Sequence, residues 1–305
     1  LRANATQFAL LMLINALVGG MVGVEHTVIP LIGKEEFGLL LNTTVVSFII
    51  SFGIVKALMN LVSGVLADRY GRKRILVLGW LVGLPVPFMI IWAPSWSWIV
   101  AANVLLGINQ ALTWSMAVIM KIDLAGPKQR GLAVGLNEFA GYFAVGITAW
   151  ATGYIASIYG LRPEPFYLGI AYAVWGLLLS WLLVRDTHKL LHLERPHAEG
   201  TAAAELPSFR QIFARTSWRD RTLFAASQAG LVNNLNDGMS WGILPLFFTA
   251  YALNVDGVGT LRFAYLAVWG VSQVITGPLA DKFGRKPLIT GGMVVQAFCI
   301  WLILA

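Results

Sequence analysis

The residues of this chain that could do chemistry lie inside long apolar runs, where charged groups are unfavourable. A charged side chain at the centre of a membrane helix costs about 2.5–3.5 kcal/mol on insertion scales, so each one is a candidate for function. The densest group is Asn233, Asn234, Asn236 and Asp237, four polar residues within five positions. This group predicts a binding site that faces a cavity; the alternative is polar contact between helices.

Lys56 and Glu138 are charges within two other apolar runs. They can neutralise each other as a structural salt bridge; otherwise Glu138 carries a proton or Lys56 attracts an anionic substrate. Glu25 and His26 come near the end of the first run, which favours an interfacial pair over an outer gate.

Uncharged polar residues extend the candidate pathway. Asn15 is central in the first run, and Asn109 and Gln110 are central in the fourth, with Trp114 about one turn further on. Together they predict a polar and aromatic pocket for a small molecule.

Catalytic and metal sites are not expected. The runs contain no nucleophile–base pair, so we predict neither an enzyme nor a cofactor. The single cysteine, Cys299, lies in an apolar run and excludes a disulfide framework. Three histidines, His188, His192 and His197, have no cysteine or carboxylate support, so they are expected to be solvated rather than metal-binding.

The composition indicates which elements position these residues. Hydrophobic residues make up 57% of the 305 residues and charged residues only 12%, whereas soluble domains carry about 25% charged residues. The mean hydropathy is +0.71. The net charge of +7 comes from short cationic clusters between apolar runs, which argues against a nucleic-acid partner and for a lipid bilayer.

Nine apolar runs reach the length of about 20 residues that a spanning helix needs. They lie at 6–29, 42–66, 75–93, 97–120, 131–156, 165–184, 222–250, 260–279 and 288–305. We therefore predict an all-α polytopic membrane protein. Because the chain begins with Leu1 and stops within an apolar run, we expect it to be part of a longer protein.

The lysines and arginines between the runs predict the orientation. Seventeen lie in the loops after the second, fourth, sixth and eighth runs, and three lie in the alternate loops. Cytoplasmic loops carry the excess of such residues, so the N-terminus is expected in the cytoplasm. The connector 185–221 includes a segment, 208–219, whose apolar residues recur at helical spacing among arginines. This segment predicts a helix on the anionic inner leaflet or a solvated linker helix.

One decapeptide occurs twice. Residues 64–73 (GVLADRYGRK) follow the second run and residues 277–286 (GPLADKFGRK) follow the eighth, at an offset of 213. Two copies, each after the second span of a six-span unit, predict two six-helix units in parallel orientation.

Here the sequence resembles the major facilitator superfamily, whose signature has the form G-x-x-x-D-[RK]-x-G-[RK]-[RK]. The resemblance implies two six-helix bundles, with about nine helices in this chain. The division is expected at 1–184 for the first bundle, 185–221 for the connector and 222–305 for part of the second bundle. It also implies that helices 1, 4, 7 and 10 line a central cavity, which places Asp237 and its asparagines in the binding site.

The resemblance further implies a conformational gate at the two motifs. The glycines allow close helix approach, the aspartates cap a helix of the opposite half, and Arg72 pairs with Asp123 when the cytoplasmic side is closed. The alternative is a cationic loop that sets topology only. The expected gate residues are Gly64, Asp68, Arg69, Gly71, Arg72, Lys73, Asp123, Gly277, Asp281, Lys282, Gly284 and Arg285.

Two departures from the family leave the substrate open. Asn103 stands where proton-coupled members often carry arginine, and the fifth run lacks the Gly-Pro motif of drug antiporters. We predict a monomeric secondary transporter of the cell inner (plasma) membrane that works by alternating access, with proton-coupled efflux of a small organic molecule and Asp237 as the titrating group. The alternatives are metal-cation efflux, uptake or uniport, or a non-transporting receptor or scaffold.

Overall fold

The computed structural model describes residues 4–126, 129–187, 208–250 and 253–304, and all regular elements in these ranges are helical. The nine long helices are α1 Ala5–Glu35, α2 Ser47–Tyr70, α3 Arg72–Gly83, α4 Trp96–Ala125, α5 Arg130–Tyr159, α6 Tyr167–Leu182, α7 Arg221–Gly242, α8 Val255–Phe283 and α9 Arg285–Leu304. The shorter helices are Asn42–Val45, Val86–Ile91, Glu164–Phe166, Phe209–Ala214, Arg215–Arg219 and Leu244–Ala250. Every predicted run overlaps one of the long helices, so the all-α fold class is confirmed.

Seven helical segments of the described chain are long and apolar enough to cross a membrane by length and composition. They correspond to α1–α6 and α8, some with their short flanking helices. The two long helices outside this group each contain polar residues. Four lie in residues 233–237 of α7, and α9 begins with Arg285 and Lys286. The multi-pass membrane architecture is therefore confirmed.

Two cations that the sequence analysis counted in loops lie buried within α4 and α8. Lys121 and Arg262, which the sequence placed in loops, are only 0% and 1% exposed. The Lys121 ammonium donates to the carbonyl oxygen of Leu11 at 3.2 Å, and the Arg262 guanidinium donates to Ser240 Oγ at 2.8 Å. The loop assignment was wrong because these oxygens allow a cation to remain inside the helical layer.

The core of α1–α6 is built around α1, which packs against α4, α5 and α6. Small residues bring these helices together. Gly19 of α1 meets the backbone of Gly141 in α5, and Gly176 of α6 leaves room for the fully buried ring of Trp80. Close backbone approach of this kind is how helices associate in lipid, where apolar surface by itself gives no preference for a neighbour.

A seam of glycines joins α5 to α8. A methyl group on Gly277 would come within 2.6 Å of the Gly131 carbonyl oxygen and 3.2 Å of the Gly135 Cα. Further along, a methyl group on Gly259 would lie 3.4 Å from the Cα of Gly153. The seam thus links the first six helices to α8 along much of its length.

The described part of the connector begins with a capped helix. Ser208 Oγ accepts from the Gln211 backbone N–H at 3.4 Å, and Gln211 Oε1 accepts from the Ser208 N–H at 2.8 Å, which is a capping box. Ile212 and Trp218 are exposed. Contact of the segment 208–219 with the lipid surface stays a prediction. His188, His192 and His197 lie outside the described residues.

Candidate functional site

Lys56 of α2 and Glu138 of α5 do not form the direct salt bridge that was one of the sequence alternatives. The Trp114 indole interacts with both residues. Its ring centroid lies 5.7 Å from Lys56 Nζ, and its N–H donates to Glu138 Oε1 at 3.3 Å. Asn137 donates to the same carboxylate oxygen at 2.8 Å. The two charges remain close enough to interact electrostatically.

Asp237 of α7 belongs to the same polar region. It is half-buried and interacts electrostatically with Lys56 and Arg262. Its Oδ1 is buried and has no hydrogen-bond donor among the described residues. The neighbouring Asn236 donates to the Tyr265 hydroxyl of α8 at 3.1 Å. Asp237 and Asn236 therefore face the region between the first six helices and α8.

The other two members of the α7 cluster lie elsewhere. Asn233 and Asn234 are exposed, and the Asn234 amide donates to the carbonyl oxygen of Gly230 in its own helix at 2.9 Å. The structure does not bring these two side chains to Lys56 and Glu138.

Arg262 is the main residue of this region that sequence reasoning missed. Its guanidinium contacts Ser240 Oγ and His26 Nδ1 and lies 5.4 Å from the Tyr265 ring centroid. A signal existed in the sequence. Asn254 accepts from the Gly257 N–H at 2.8 Å and caps α8, and recognising this cap would have placed Arg262 two turns inside the helix.

An aromatic cluster packs α7 against α1 and α2. Trp241 is 3% exposed and stacks on the His26 ring at 4.4 Å between centroids. Phe48 and Phe52 of α2 meet the same indole edge-on, at 5.5 and 5.1 Å. Because α2 begins close to Phe48, this cluster lies at the end of the molecule that the charge pattern places outside.

Glu25 and His26 are not an interfacial pair, which corrects the favoured sequence interpretation. They are 1% and 2% exposed. Glu25 lies beside Asn103 of α4. Neither of its carboxylate oxygens accepts a hydrogen bond of normal length and angle from the described residues. Both residues face helix neighbours rather than a membrane surface.

A row of aromatic rings lies beside Lys56 and Glu138. Trp114 meets Tyr142 edge-on at 5.5 Å, Tyr142 stacks on Trp269 at 4.5 Å with 14° between the planes, and Trp269 meets Tyr265 edge-on at 5.7 Å. We call Trp114, Tyr142, Trp269 and Tyr265 the aromatic wall. All four are half-buried.

Three predicted pathway residues instead bind helices together. Asn15 donates to the Asn137 carbonyl oxygen at 2.7 Å, Asn109 to Gly79 at 2.9 Å and Gln110 to Val18 at 3.0 Å. All three side chains are fully buried. Their amides satisfy backbone carbonyls of neighbouring helices, so they do not line the pocket with Trp114 that the sequence suggested.

The first motif copy makes its polar contacts within the first six helices. Arg72 forms an ion pair with Asp123 and donates to Thr187 Oγ1 at 3.3 Å, while Thr187 donates to Asp123 Oδ2 at 2.8 Å. Asp68 is exposed and accepts no hydrogen bond from the residues the structure describes. A methyl group on Gly64 would meet nothing within 4 Å in the described residues, so the close approach expected at this glycine stays a prediction.

Two further residues of this copy lie beside it. The Arg69 guanidinium lies 5.3 Å from the Tyr70 ring centroid. Lys73 is half-buried and lines a groove with Gln7 and Asp186.

The second copy makes contacts between α8 and α5. Asp281 accepts from the backbone N–H groups of Gly131 and Leu132 at 3.0 and 3.1 Å, so a carboxylate meets the positive end of the α5 dipole. Gly277 packs on α5 as the sequence predicted. Lys282 lies 5.2 Å from the Phe283 ring centroid, and Arg285 is exposed.

The described residues contain no group of three or more His, Cys, Asp and Glu side chains that could hold a metal ion. The arrangement between α2, α4, α5, α7 and α8 offers separate positive and negative groups beside aromatic faces. Chemically, it suits binding of a small polar molecule with an apolar body.

Comparison with known proteins adds the following. A sequence model described as Major Facilitator Superfamily matches residues 8–234. The chain is 26% identical over 269 residues to a probable 4-methylmuconolactone transporter of Cupriavidus pinatubonensis, covering 82% of the chain and 56% of that protein. It is 27% identical over 262 residues to the proton-coupled antiporter flippase LtaA of Staphylococcus saprophyticus, covering 81% and 58%. The chain spans about half the length of the curated relatives it matches.

Two solved structures are similar in fold. A crystal structure of a D-xylose-proton symporter aligns with a TM-score of 0.55 and 15% identity, covering 92% of this chain and 67% of that one. A partially occluded inward-open conformation of the xylose transporter XylE from E. coli aligns with a TM-score of 0.52 and 18% identity, covering 92% and 75%. At these identities the likeness concerns the fold.

Proposed function

The chain belongs to the major facilitator superfamily, and we propose that it forms most of a proton-coupled secondary transporter that exports a small organic molecule by alternating access. The matched proteins are transporters, so the chain is not an enzyme. One observation carries the proposal. Lys56, Glu138 and Asp237 come from α2, α5 and α7 and interact electrostatically beside the aromatic wall, where α7 and α8 meet the first six helices.

The proposed division follows the sequence boundaries, with 1–184 as one bundle, 185–221 as a connector and 222–305 as part of the second bundle. The cation distribution supports a cytoplasmic N-terminus in the inner membrane. In that orientation the Trp241 cluster closes the outer end of the pathway. Opening it would require α7 to separate from α1 and α2.

Proton coupling is proposed at Asp237. One matched relative supports coupling, because it is named a proton-coupled antiporter flippase. That antiporter supports export, and uptake remains the second candidate. Within the site, Asp237 interacts with Lys56 and Arg262, so its charge state affects the balance between α2, α7 and α8.

The test uses the full-length protein in proteoliposomes, with a solute first selected by thermal stabilisation. In Asp237→Asn, gradient-driven transport should disappear while energy-independent exchange of the solute continues. Asp256→Asn, in the first turn of α8, is the matched control and should keep both activities. If exchange and stability fall together, Asp237 holds helices together. If gradient-driven accumulation persists, the assignment to Asp237 is wrong and Glu138 becomes the candidate.

A further inference from the structure

The cations between the helices differ in how they are satisfied. Three are buried, and each has an oxygen partner: Arg72 pairs with Asp123, Lys121 donates to Leu11 and Arg262 donates to Ser240. Lys56 is half-buried and makes no hydrogen bond or ion pair with any residue that the structure describes. Lys56 is thus the cation of this group that still has room for a partner.

Two aromatic faces hold the Lys56 ammonium in place. Its Nζ lies 5.4 Å from the Phe52 ring centroid and 5.7 Å from that of Trp114. A cation–π contact attracts an ammonium without neutralising its charge or using its N–H donors on an oxygen. The N–H donors of the ammonium are therefore not used on an oxygen of these two neighbours.

The nearby carboxylates have other partners. Glu138 accepts from Asn137 at 2.8 Å and Trp114 at 3.3 Å. Asp237 interacts electrostatically with Arg262 as well as with Lys56 and makes no ion pair with Lys56 among the described residues. An oxyanion that reaches Lys56 would therefore meet an ammonium that neither carboxylate contacts directly.

The aromatic wall defines the rest of the ligand. Its rings continue from Trp114, which contacts Lys56, through Tyr142 to Trp269. Half-buried aromatic faces suit a flat or cyclic apolar body lying against them.

We propose that the region of Lys56 and the aromatic wall binds a small organic anion, a carboxylate on a flat or cyclic apolar body, with the Lys56 ammonium as its anion-binding group. This proposal rests on the proposed transport function and specifies the substrate class of the same site. Lys56 binds the carboxylate, and the aromatic wall packs against the body.

The test measures equilibrium binding of benzoate, sorbate and cyclohexanecarboxylate to purified full-length protein, each compared with its uncharged amide. The acids should bind at least about tenfold more tightly than the amides, as expected for a charge-assisted hydrogen bond. Lys56→Met should weaken acid binding by about tenfold or more and remove the preference over the amides. Lys56→Arg keeps the charge and should restore that preference. Lys34→Met, at the end of α1, is the matched control and should bind the acids like the unmodified protein.

The proposal is overturned if no acid binds, if amides bind as well as acids, or if Lys56→Met keeps the preference. The transport function has a separate readout, which is exchange of any solute across the proteoliposome membrane. A protein that exchanges only neutral or cationic solutes contradicts the anion class and leaves transport standing. A protein that exchanges none contradicts the transport function itself.

Discussion

The two motif copies, residues 64–73 and 277–286, have similar local backbone conformations but make different contacts. Both turn at a glycine with positive φ, +90° at Gly71 and +85° at Gly284, a conformation that side-chain-bearing residues rarely adopt. In both, a cation lies about 5 Å from the following aromatic ring, Arg69 on Tyr70 and Lys282 on Phe283. The local structure of the repeat is therefore the same.

The contacts differ at three equivalent positions. Gly64 is open, whereas Gly277 packs on the α5 backbone. Asp68 is exposed, whereas Asp281 caps α5. At the arginine position it is the first copy that makes the contact: Arg72 is 5% exposed and forms an ion pair with Asp123, whereas its counterpart Arg285 is exposed.

This difference separates two roles that the motif combines. The first copy joins the start of α3, which directly follows α2, to the end of α4 and to Thr187, beyond α6. The second copy ties α8 to α5. A rigid rotation of the first six helices against α7–α9 would leave the Arg72–Asp123 pair intact and strain the Asp281 cap. The sequence-based view that the Arg72 pair forms only in one transport state therefore lacks support from these contacts.

The largest expected difference between the copies is at the arginines. Arg72→Ala should destabilise the protein by about 3 kcal/mol or more, because it leaves the Asp123 carboxylate buried without its cation. Arg285→Ala should change the stability by about 0.5 kcal/mol or less, as for most surface substitutions. Thermal unfolding of the full-length protein in detergent measures both.

The pairing itself can be tested with a double mutant. Arg72→Ala with Asp123→Ala should be little worse than either single variant, because each removes the same interaction. Strictly additive losses would show that the two residues act independently. Equal effects of Arg72→Ala and Arg285→Ala would remove the distinction between the copies.

The glycines should give the second largest difference. Gly277→Ala introduces a methyl group within 2.6 Å of the Gly131 carbonyl oxygen and should cost about 1–3 kcal/mol by forcing α8 from α5. Gly64→Ala adds a methyl group with no neighbour within 4 Å in the described residues, so its stability should be unchanged or slightly higher. Thermal unfolding measures the two side by side; equal losses would show that Gly64 is also packed.

Much of the fold was predictable from the sequence because it depends on local properties. Apolar runs of spanning length predicted every long helix, and the repeated decapeptide has a positive-φ glycine at the same position in both copies, Gly71 and Gly284. The cap by Asp281 followed from the position of a carboxylate at a helix end. These features need only hydropathy, spacing and motif identity.

The site was less predictable because it depends on which oxygen meets which cation. In the sequence, Lys121 and Arg262 look like loop cations. Only the structure shows that the oxygens of Leu11 and Ser240 accept their hydrogen bonds. In the same way, Asn109 and Gln110 look like pocket residues in the sequence, whereas in the structure their amides donate to backbone carbonyl oxygens of neighbouring helices. A sequence shows that a polar group inside the membrane needs a partner, but the packing of other helices decides where that partner is.

The smallest expected difference is at the aspartates, and it tests most directly whether the second copy links α8 to α5. Asp281→Asn keeps the shape of the side chain but removes the charge that meets the α5 N-terminus, and should weaken the cap by about 1 kcal/mol. That energy is close to a fivefold change in the population of a closed arrangement. Spin labels on cysteines at positions 129 and 283, with Cys299 replaced, would report the distance between the start of α5 and the end of α8. Asp281→Asn should shift the distance distribution toward longer values, whereas Asp68→Asn should leave it unchanged because Asp68 makes no hydrogen bond with α5.

A shift of the same size in Asp68→Asn would mean that the first copy also controls the packing of α8 against α5. An unchanged distribution in Asp281→Asn would mean that the glycine packing at Gly131, Gly135 and Gly277 holds the helices together without the cap.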